Sequence, residues 1–249
     1  MKIILVANKT YRNLPDSLCW YFYEPLNKLG HDVYFYDTVV GEDRPFKQIV
    51  ESYKPDLIFC IMTGDDTIAP HEPWREIAEE NSSGRTKTFN WFCDDTWRFD
   101  NFSSVACRAF TVCSTPEPSY VTRYRQLGYS NIILGNWHAD VDCFPNIKFA
   151  DKLTQLSFIG TPNPYRKSFF DNTDVNVEYL FGLSQQELFK AFSNSKMSIN
   201  LSVNHNDPKQ KTQMKQRIFE VPAGAGLLIT QNHSGIEQYF KINKEIFTF

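Results

Sequence analysis

The sequence predicts an α/β protein made of two Rossmann-like domains that face each other, with parallel sheets and helices on both faces. Short apolar runs of strand length alternate with helix-like segments along the chain, as in repeated β-α units. The first run, KIILVAN (2–8), is apolar throughout, which is typical of a parallel strand covered on both faces. The length of 249 residues suits one large domain or two small ones.

The first half of the chain predicts a series of six strands with helices between them. A helix over 16–29 follows the first strand and ends at Gly30, which suits a helix C-terminus. A later helix opens at Pro116 and Pro118 and ends at Gly128. The remaining strands are expected at 31–37, 55–63, 86–95, 109–115 and 131–137, and the remaining helices at 45–53, 73–81 and near 100–108.

A second series of strands and helices begins near residue 155. Ser184 is the expected N-cap of one helix, with Glu187 at the capping-box position. Strands are expected at 155–161, 175–182, 196–202, 226–231 and 245–249, and helices at 165–172, 184–195, 215–225 and 235–240. We expect a boundary near 141–152, with an N-terminal domain over 1–148 and a C-terminal domain over 149–249. The second domain ends on a strand, so we expect it to be either truncated or a compact version.

Composition excludes several classes of protein. Hydrophobic residues make up 42% and charged residues 22%, which indicates a globular chain with a core. The net charge of -3 argues against strong nonspecific binding of nucleic acid. The six Cys include no CxxC pair, and the five His form no HxH or HExxH, so we expect reduced thiols and no zinc site. The first apolar run is too short for a signal peptide or a membrane span, and we expect a cytoplasmic protein.

The segment SFIGTPNPYRK predicts a phosphate site. Gly160 ends a strand, and Arg166 and Lys167 stand at the start of the next helix. A glycine allows close approach of a ligand, and a helix N-terminus beside an arginine favours an anion. An ordinary turn with surface basic residues would give the same pattern.

The segment KQKTQMKQRIFEVPAGAGLLIT carries the strongest site pattern. Lys211, Lys215 and Arg217 precede or enter a helix, and Glu220 follows Arg217 by three residues. The neighbours of this pair are apolar, so charged groups on this packed segment need a partner, and a sugar nucleotide supplies one. The small residues 223–226 would allow a tight turn and the approach of a ligand. A helix-surface ion pair followed by a glycine cap is the alternative.

Two further segments offer catalytic candidates. Asp94 and Asp95 end a strand, and either could act as a general base or cap the next helix. His138 stands alone at the end of a later strand, where it has a structural role or contacts the ligand. The loop after the first strand has no glycine-rich fingerprint, and we interpret it as an acceptor-side wall with Tyr11 and Arg12 as contacts.

The chain resembles a known family at residues 217–240, which contain RIFEVPAGAGLLIT followed by GIEQYF. This segment is similar to the C-terminal signature of CgeB-like (spore-maturation-type) glycosyltransferases. More broadly, it is similar to the nucleotide-binding half of GT-B glycosyltransferases. The resemblance implies that Glu220 binds the ribose of the donor. It implies that Arg217, and more loosely Lys215 and Arg166, bind the diphosphate. SFIG, which ends at Gly160, is similar to the first strand of the same domain, and GNWHADVDCFP is similar to the passage between the domains.

One departure from the family pattern affects the chemistry. Retaining members often carry two Glu separated by seven residues, but Thr212 stands where the first would be. Retention and inversion therefore both stay open. Asp94 and Asp95 are adjacent and do not form a DxD motif, so we expect a metal-independent enzyme. The resemblance implies transfer of a hexose or pentose from a nucleoside-diphosphate donor, which we expect to be UDP-linked, to an acceptor hydroxyl.

Several alternatives remain at this stage. The acceptor could be a glycan, a protein, a small molecule or, as in a phage-type enzyme, a hydroxymethylated base in DNA. A non-catalytic twin-Rossmann protein that binds a small ligand is a rival, favoured by the missing first Glu and opposed by the lack of a signal peptide. An NAD-linked enzyme is the weakest alternative because the chain has no GxGxxG.

Overall fold

The computed structural model describes residues 1–11, 14–204 and 211–249, which form two compact units, Met1–Asn136 and Trp137–Phe249. Each unit is a parallel sheet flanked by helices. Across the described ranges, none of the helices combines the length and the apolar character needed to cross a bilayer.

The first unit is a six-stranded parallel sheet and one short hairpin. Its strands are β1 (Lys2–Ala7), β2 (Thr10–Tyr11), β3 (Leu14–Pro15), β4 (Asp32–Asp37), β5 (Leu57–Cys60), β6 (Lys87–Trp91), β7 (Val112–Thr115) and β8 (Ile132–Leu134). Its α-helices are α1 (Glu24–Lys28), α2 (Phe46–Tyr53), α3 (Trp74–Ser83), α4 (Asp95–Arg98), α5 (Ser104–Ala106) and α6 (Pro118–Gln126). The order in the sheet is β4-β1-β5-β6-β7-β8, and the antiparallel hairpin of β2 and β3 was not predicted.

Two helical regions differ in detail from the prediction. The helix expected over 16–29 begins with a π-helical turn, Cys19–Tyr23, which continues into α1. Gly30 has φ 80°, which explains why a glycine ends this region. The helix expected near 100–108 is a series of short segments, in which the π-helical turn Phe99–Ser103 separates α4 from α5.

Aromatic residues fill the core of the first unit. Phe92, Phe99, Tyr120 and Tyr124 are all buried. The rings of Phe99 and Tyr124 pack edge to face with centroids 4.8 Å apart, a favourable geometry for aromatic pairs. In this unit the high aromatic content therefore serves packing.

The second unit is a five-stranded parallel sheet with the order β10-β9-β11-β12-β13. Its strands are β9 (Thr154–Ile159), β10 (Glu178–Leu180), β11 (Ser195–Asn200), β12 (Leu227–Thr230) and β13 (Ile246–Thr248), and its α-helices are α7 (Pro164–Asp171), α8 (Gln185–Asn194) and α9 (Arg217–Ala223). Ser184 and Glu187 form the predicted capping box at the start of α8. The prediction of two Rossmann-like α/β domains is confirmed, and all six Cys are free thiols, as expected.

Candidate active site

The strand order of the second unit indicates where a ligand binds. The chain runs from β9 outward to β10 and then returns to the other side of β9 as β11. In open parallel sheets this switch of direction leaves a crevice at the carboxyl ends of the two central strands. Gly160 follows β9 and Leu201 follows β11, so the crevice begins at these residues.

Arg217 places its guanidinium group at this crevice. It is the first residue of α9, and its Nη1 donates a hydrogen bond to Oδ1 of Asn200 at 3.0 Å. A Cβ atom built on Gly160 would lie 2.5 Å from Arg217 Nη2, so the guanidinium group packs directly against the glycine. Its central carbon lies 4.9 Å from the centroid of the Phe158 ring.

Arg166 brings a second guanidinium group to the same ring. It lies in the first turn of α7, and its central carbon is 5.2 Å from the Phe158 centroid. Its Nη1 donates to the carbonyl oxygen of Thr161. A Cβ on Gly160 would lie 3.4 Å from this Nη1, so the absence of a side chain at 160 makes room for both cations.

The electrostatics of the two arginines favour an anion. Burial, followed by the positive charge of Arg166, lowers the pKa of Arg217 to about 10, while Glu220 acts in the opposite direction. Burial also lowers the pKa of Arg166. Both groups keep their charge at neutral pH, so two like charges are held close together in a partly buried place. A ligand with several anionic oxygens would neutralise both.

The first turn of α7 contributes less than the sequence pattern suggested. The side chain of Asn163 accepts a hydrogen bond from the amide of Arg166 at 2.9 Å. Pro164, the first residue of the helix, has no N–H to donate. The helix start is therefore partly closed by its own cap, and the guanidinium groups carry most of the anion-binding capacity.

Asn200 fixes the orientation of Arg217. This fully buried residue ends β11, and its Nδ2 donates to Ser202 Oγ and Thr230 Oγ1, both at 2.9 Å. These two contacts leave Oδ1 facing Arg217. Sequence analysis missed Asn200, although a polar residue at the end of a strand beside the expected crevice was a usable signal.

A second side-chain amide supports the loop after β11. Gln231 Oε1 accepts hydrogen bonds from the amides of Ser202 at 2.7 Å and Val203 at 3.2 Å. Its Nε2 donates to the hydroxyl of Tyr165 in α7. One side chain thus links the loop after β11 to helix α7, which periodicity in the sequence could not reveal.

Glu220 lies one turn along α9 and is 6% exposed. The small residues after it have a different role from the one expected. A Cβ on Gly224 would lie 2.8 Å from the carbonyl carbon of Phe192, and one on Gly226 would lie 3.0 Å from the carbonyl oxygen of Ser195. These glycines let the end of α9 pack on the backbone of α8 and β11, and the left-handed residue of the turn is Ala225, with φ 54°. The expected ligand approach at 223–226 is therefore replaced by backbone packing.

Lys215 and His138 lie near the start of α9. Both side chains are partly buried, and the carbonyl oxygen of His138 accepts a hydrogen bond from Gln216 Nε2. Trp137 Nε1 donates to the carbonyl oxygen of Met214 at 3.1 Å. Residues 137 and 138 therefore run beside the segment that leads into Arg217. The proposed roles of the His138 and Lys215 side chains stay predictions.

In the first unit, Asp94 and Asp95 have different environments. Asp95 is fully buried, and the hydroxyl of Tyr124 donates to both of its carboxylate oxygens at 3.1 and 3.0 Å. Burial raises its pKa to about 7. Asp94 is partly exposed and takes the N-cap position of α4, but its side chain makes no capping hydrogen bond. The burial of Asp95 favours a structural role over the expected contact with an acceptor, and catalysis by Asp94 stays a prediction.

The other candidates give less information. Tyr11 lies in the hairpin and is 44% exposed, while Arg12 falls outside the described residues. Asp65 is a turn residue, because its carboxylate accepts a hydrogen bond from the amide of Thr67 at 3.1 Å. Over residues 1–11, 14–204 and 211–249, no three His, Cys, Asp or Glu side chains are grouped so as to hold a metal ion.

A comparison with known proteins matches part of the chain to a family model and relates its fold to solved structures. Residues 145–249 match the family model described as glycosyl transferase-like, so the match contains every candidate residue of the second unit except His138. No curated protein matches the chain significantly.

Solved structures resemble the fold over almost the whole chain. AviGT4, a glycosyltransferase involved in avilamycin A biosynthesis, has a TM-score of 0.60 at 10% identity and covers 95% of this chain and 80% of its own. The DNA-modifying enzyme β-glucosyltransferase has a TM-score of 0.59 at 12% identity, with coverages of 93% and 79%. An α-glucosyltransferase in complex with UDP-glucose and DNA has a TM-score of 0.60 at 9% identity, with coverages of 94% and 81%.

The two α/β units thus have the fold of GT-B glycosyltransferases, and the arginine pair lies inside the part of the chain that matches the family model. The second unit is therefore glycosyl transferase-like over residues 145–249.

Proposed function

We propose that the second unit binds a UDP-linked sugar and that the enzyme transfers the sugar to an acceptor hydroxyl. The observation that carries this proposal is the pair of guanidinium groups, Arg166 and Arg217, that both lie near the Phe158 ring and beside Gly160. The diphosphate of the donor would lie against this pair, at the carboxyl ends of β9 and β11, where α/β sheets bind their ligands.

Glu220 would bind the ribose of the same donor. It follows Arg217 by one turn on α9, so a single short helix presents a cation and a carboxylate to adjacent parts of one ligand. A ribose offers two hydroxyl donors, which match a carboxylate acceptor. Lys215, just before α9, is a looser candidate for the diphosphate.

The arginine pair would also assist the chemical step. Negative charge develops on the diphosphate as the bond to the sugar breaks, and fixed cations stabilise that charge without reorganisation. Asn200 holds Arg217 and the carbonyl oxygen of Thr161 holds Arg166, which supports positioning as the main source of catalysis. Asp94 and His138 remain the candidates for removing the proton from the acceptor hydroxyl. We propose a cytoplasmic location and a spore-maturation-type subfamily as the finer assignments.

DNA is the acceptor class that we propose to test second, after simple sugar acceptors. Two of the similar solved structures are a DNA-modifying β-glucosyltransferase and an α-glucosyltransferase complexed with DNA and UDP-glucose. Because their sequences are only 12% and 9% identical to this chain, these structures guide the choice of the acceptor to test. Hydroxymethylated DNA would be the substrate to supply.

The test is a binding series with UDP, GDP, CDP, ADP and NAD, measured by calorimetry and thermal shift. We expect one nucleoside diphosphate, UDP first, to bind, and Arg217→Ala to abolish most of its affinity. Lys167→Ala is the matched control, because Lys167 is an exposed cation next to Arg166 whose Nζ pairs with Asp171 at 2.7 Å. Glu220→Gln should weaken UDP and leave inorganic pyrophosphate unaffected. Equal UDP binding by the wild type and Arg217→Ala would contradict the proposed site.

A further inference from the structure

A buried lysine lies at the junction of α8 and α9. Lys152 precedes β9 and is 3% exposed. Its Nζ donates to the carbonyl oxygen of Gly224 at 2.7 Å and to that of Ser193. Ser193 lies in the last turn of α8, and Gly224 directly follows α9.

These carbonyl groups are the ones that helices leave without a partner. The last four carbonyls of an α-helix have no intrahelical donor, and the C-terminal end of the helix dipole favours a cation. One ammonium group therefore serves two helix ends at once. Burial lowers the pKa of Lys152, and the cost of burying its charge is offset in part by the hydrogen bonds to these two carbonyl oxygens.

What Lys152 fixes is the short helix α9. The amide of Gly224 donates to the carbonyl oxygen of Glu220 at 3.0 Å, so two consecutive hydrogen bonds connect Lys152 to the backbone of Glu220. The helix has only seven residues and no side-chain capping hydrogen bond at its N-cap, and Pro222 lies inside it. Such a helix depends on external contacts for its place on the sheet.

We propose that Lys152 is a positioning residue for the donor site: it holds the C-terminal end of α9 so that Arg217 and Glu220 meet one ligand. This inference rests on the proposed function of that site. Because α9 is two turns long, a shift at its C-terminal end moves the backbone of both residues. Lys152 itself contacts backbone carbonyls and acts on the ligand through the helix.

The experiment compares the UDP affinity of the wild-type protein with that of the Lys152→Met variant. Both are measured well below their unfolding temperatures. Met fills a similar volume and donates no hydrogen bond. We expect roughly tenfold weaker binding of UDP, equal to the loss of about one hydrogen bond to a charged group. Lys152→Arg, which keeps the charge and the donors, should retain more affinity than Lys152→Met.

A control separates positioning from general loss of stability. Ile246→Ala removes a fully buried side chain from β13, at the other edge of the sheet from β10. Folded Ile246→Ala protein should bind UDP as the wild type does. The proposal is overturned if Lys152→Met binds UDP as tightly as the wild type, or if Ile246→Ala loses as much affinity. Arg217→Ala distinguishes this failure from that of the site itself, because only a wrong donor site would leave Arg217→Ala with normal UDP affinity.

Discussion

Gly160 and Arg217 are in direct contact, and a methyl group at position 160 would lie 2.5 Å from the guanidinium Nη2. The contact joins the end of the first strand of the second unit to the start of the helix that carries the proposed donor-binding residues. It shows why a glycine is required here even though its φ is not in the left-handed region.

Gly160→Ala should therefore reduce nucleotide binding more than stability. The end of an arginine side chain can move aside at little cost in folding energy, but the displaced guanidinium group would no longer match the diphosphate. We expect at least tenfold weaker UDP binding, or about 1.4 kcal/mol, measured by calorimetry. The same substitution in an Arg217→Ala background should have almost no further effect, and an undiminished effect there would rule out this explanation.

Asn200→Asp tests whether the positive charge of Arg217 is needed for binding. The substitution keeps the shape of the side chain but places a carboxylate 3.0 Å from Arg217 Nη1 and removes the amide donor to Ser202 and Thr230. Since the new charge neutralises Arg217, we expect UDP and pyrophosphate both to bind about tenfold more weakly or worse. Asn172→Asp, the same change at an exposed site in this unit, is the control and should leave both affinities unchanged.

The buried Asp95 should make stability depend on pH. Its pKa is about 7 in the folded protein, because of burial and to a lesser degree Glu117, and about 3.9 when unfolded. Between these values the folded state holds the extra proton, so the contribution of Asp95 to stability is greatest in acid and falls as the pH rises from about 4 to about 7. The slope would reach about 1.4 kcal/mol per pH unit.

Urea unfolding of the wild type and Asp95→Asn at several pH values measures this effect. The variant has no carboxylate to titrate, so it should gain stability relative to the wild type as the pH rises towards 8. Asp94→Asn serves as the neighbouring control and should follow the wild type. Parallel curves for the wild type and Asp95→Asn would show that the Asp95 pKa is not raised.

Tyr179→Phe should stabilise the protein, against the usual trend. The hydroxyl of Tyr179 is buried and has no hydrogen-bond partner among the described residues, which costs about 1–3 kcal/mol. Phe removes this group, so we expect the free energy of unfolding to rise by about 1 kcal/mol in urea experiments. Tyr124→Phe, which removes two hydrogen bonds to Asp95, should lower it. A loss of stability in both variants would indicate that the Tyr179 hydroxyl is satisfied.

The strands and most helices could be predicted because each apolar run has the length of its element and ends at a turn residue. The helix over 100–108 was predicted as one piece, since local sequence does not distinguish α from π hydrogen bonding around Phe99–Ser103. Arg166, Arg217 and Gly160 could be chosen from strand ends and family resemblance. Their meeting on Phe158, and the support from Asn200 and Gln231, depend on how β9, β11 and β12 are ordered in the sheet, which periodicity does not contain.

The hydrogen bond from Trp137 to Met214 gives the enzyme an internal optical reporter. Trp137 is the only tryptophan in residues 137–249, and the other four lie at 20, 74, 91 and 97. Its indole N–H is hydrogen-bonded to the carbonyl oxygen of Met214, three residues before Arg217. If a ligand shifts Arg217, we therefore expect the environment of this one tryptophan in the second unit to change. The difference in emission between the wild type and Trp137→Phe, recorded during a UDP titration, should therefore follow occupancy of the donor site without any label.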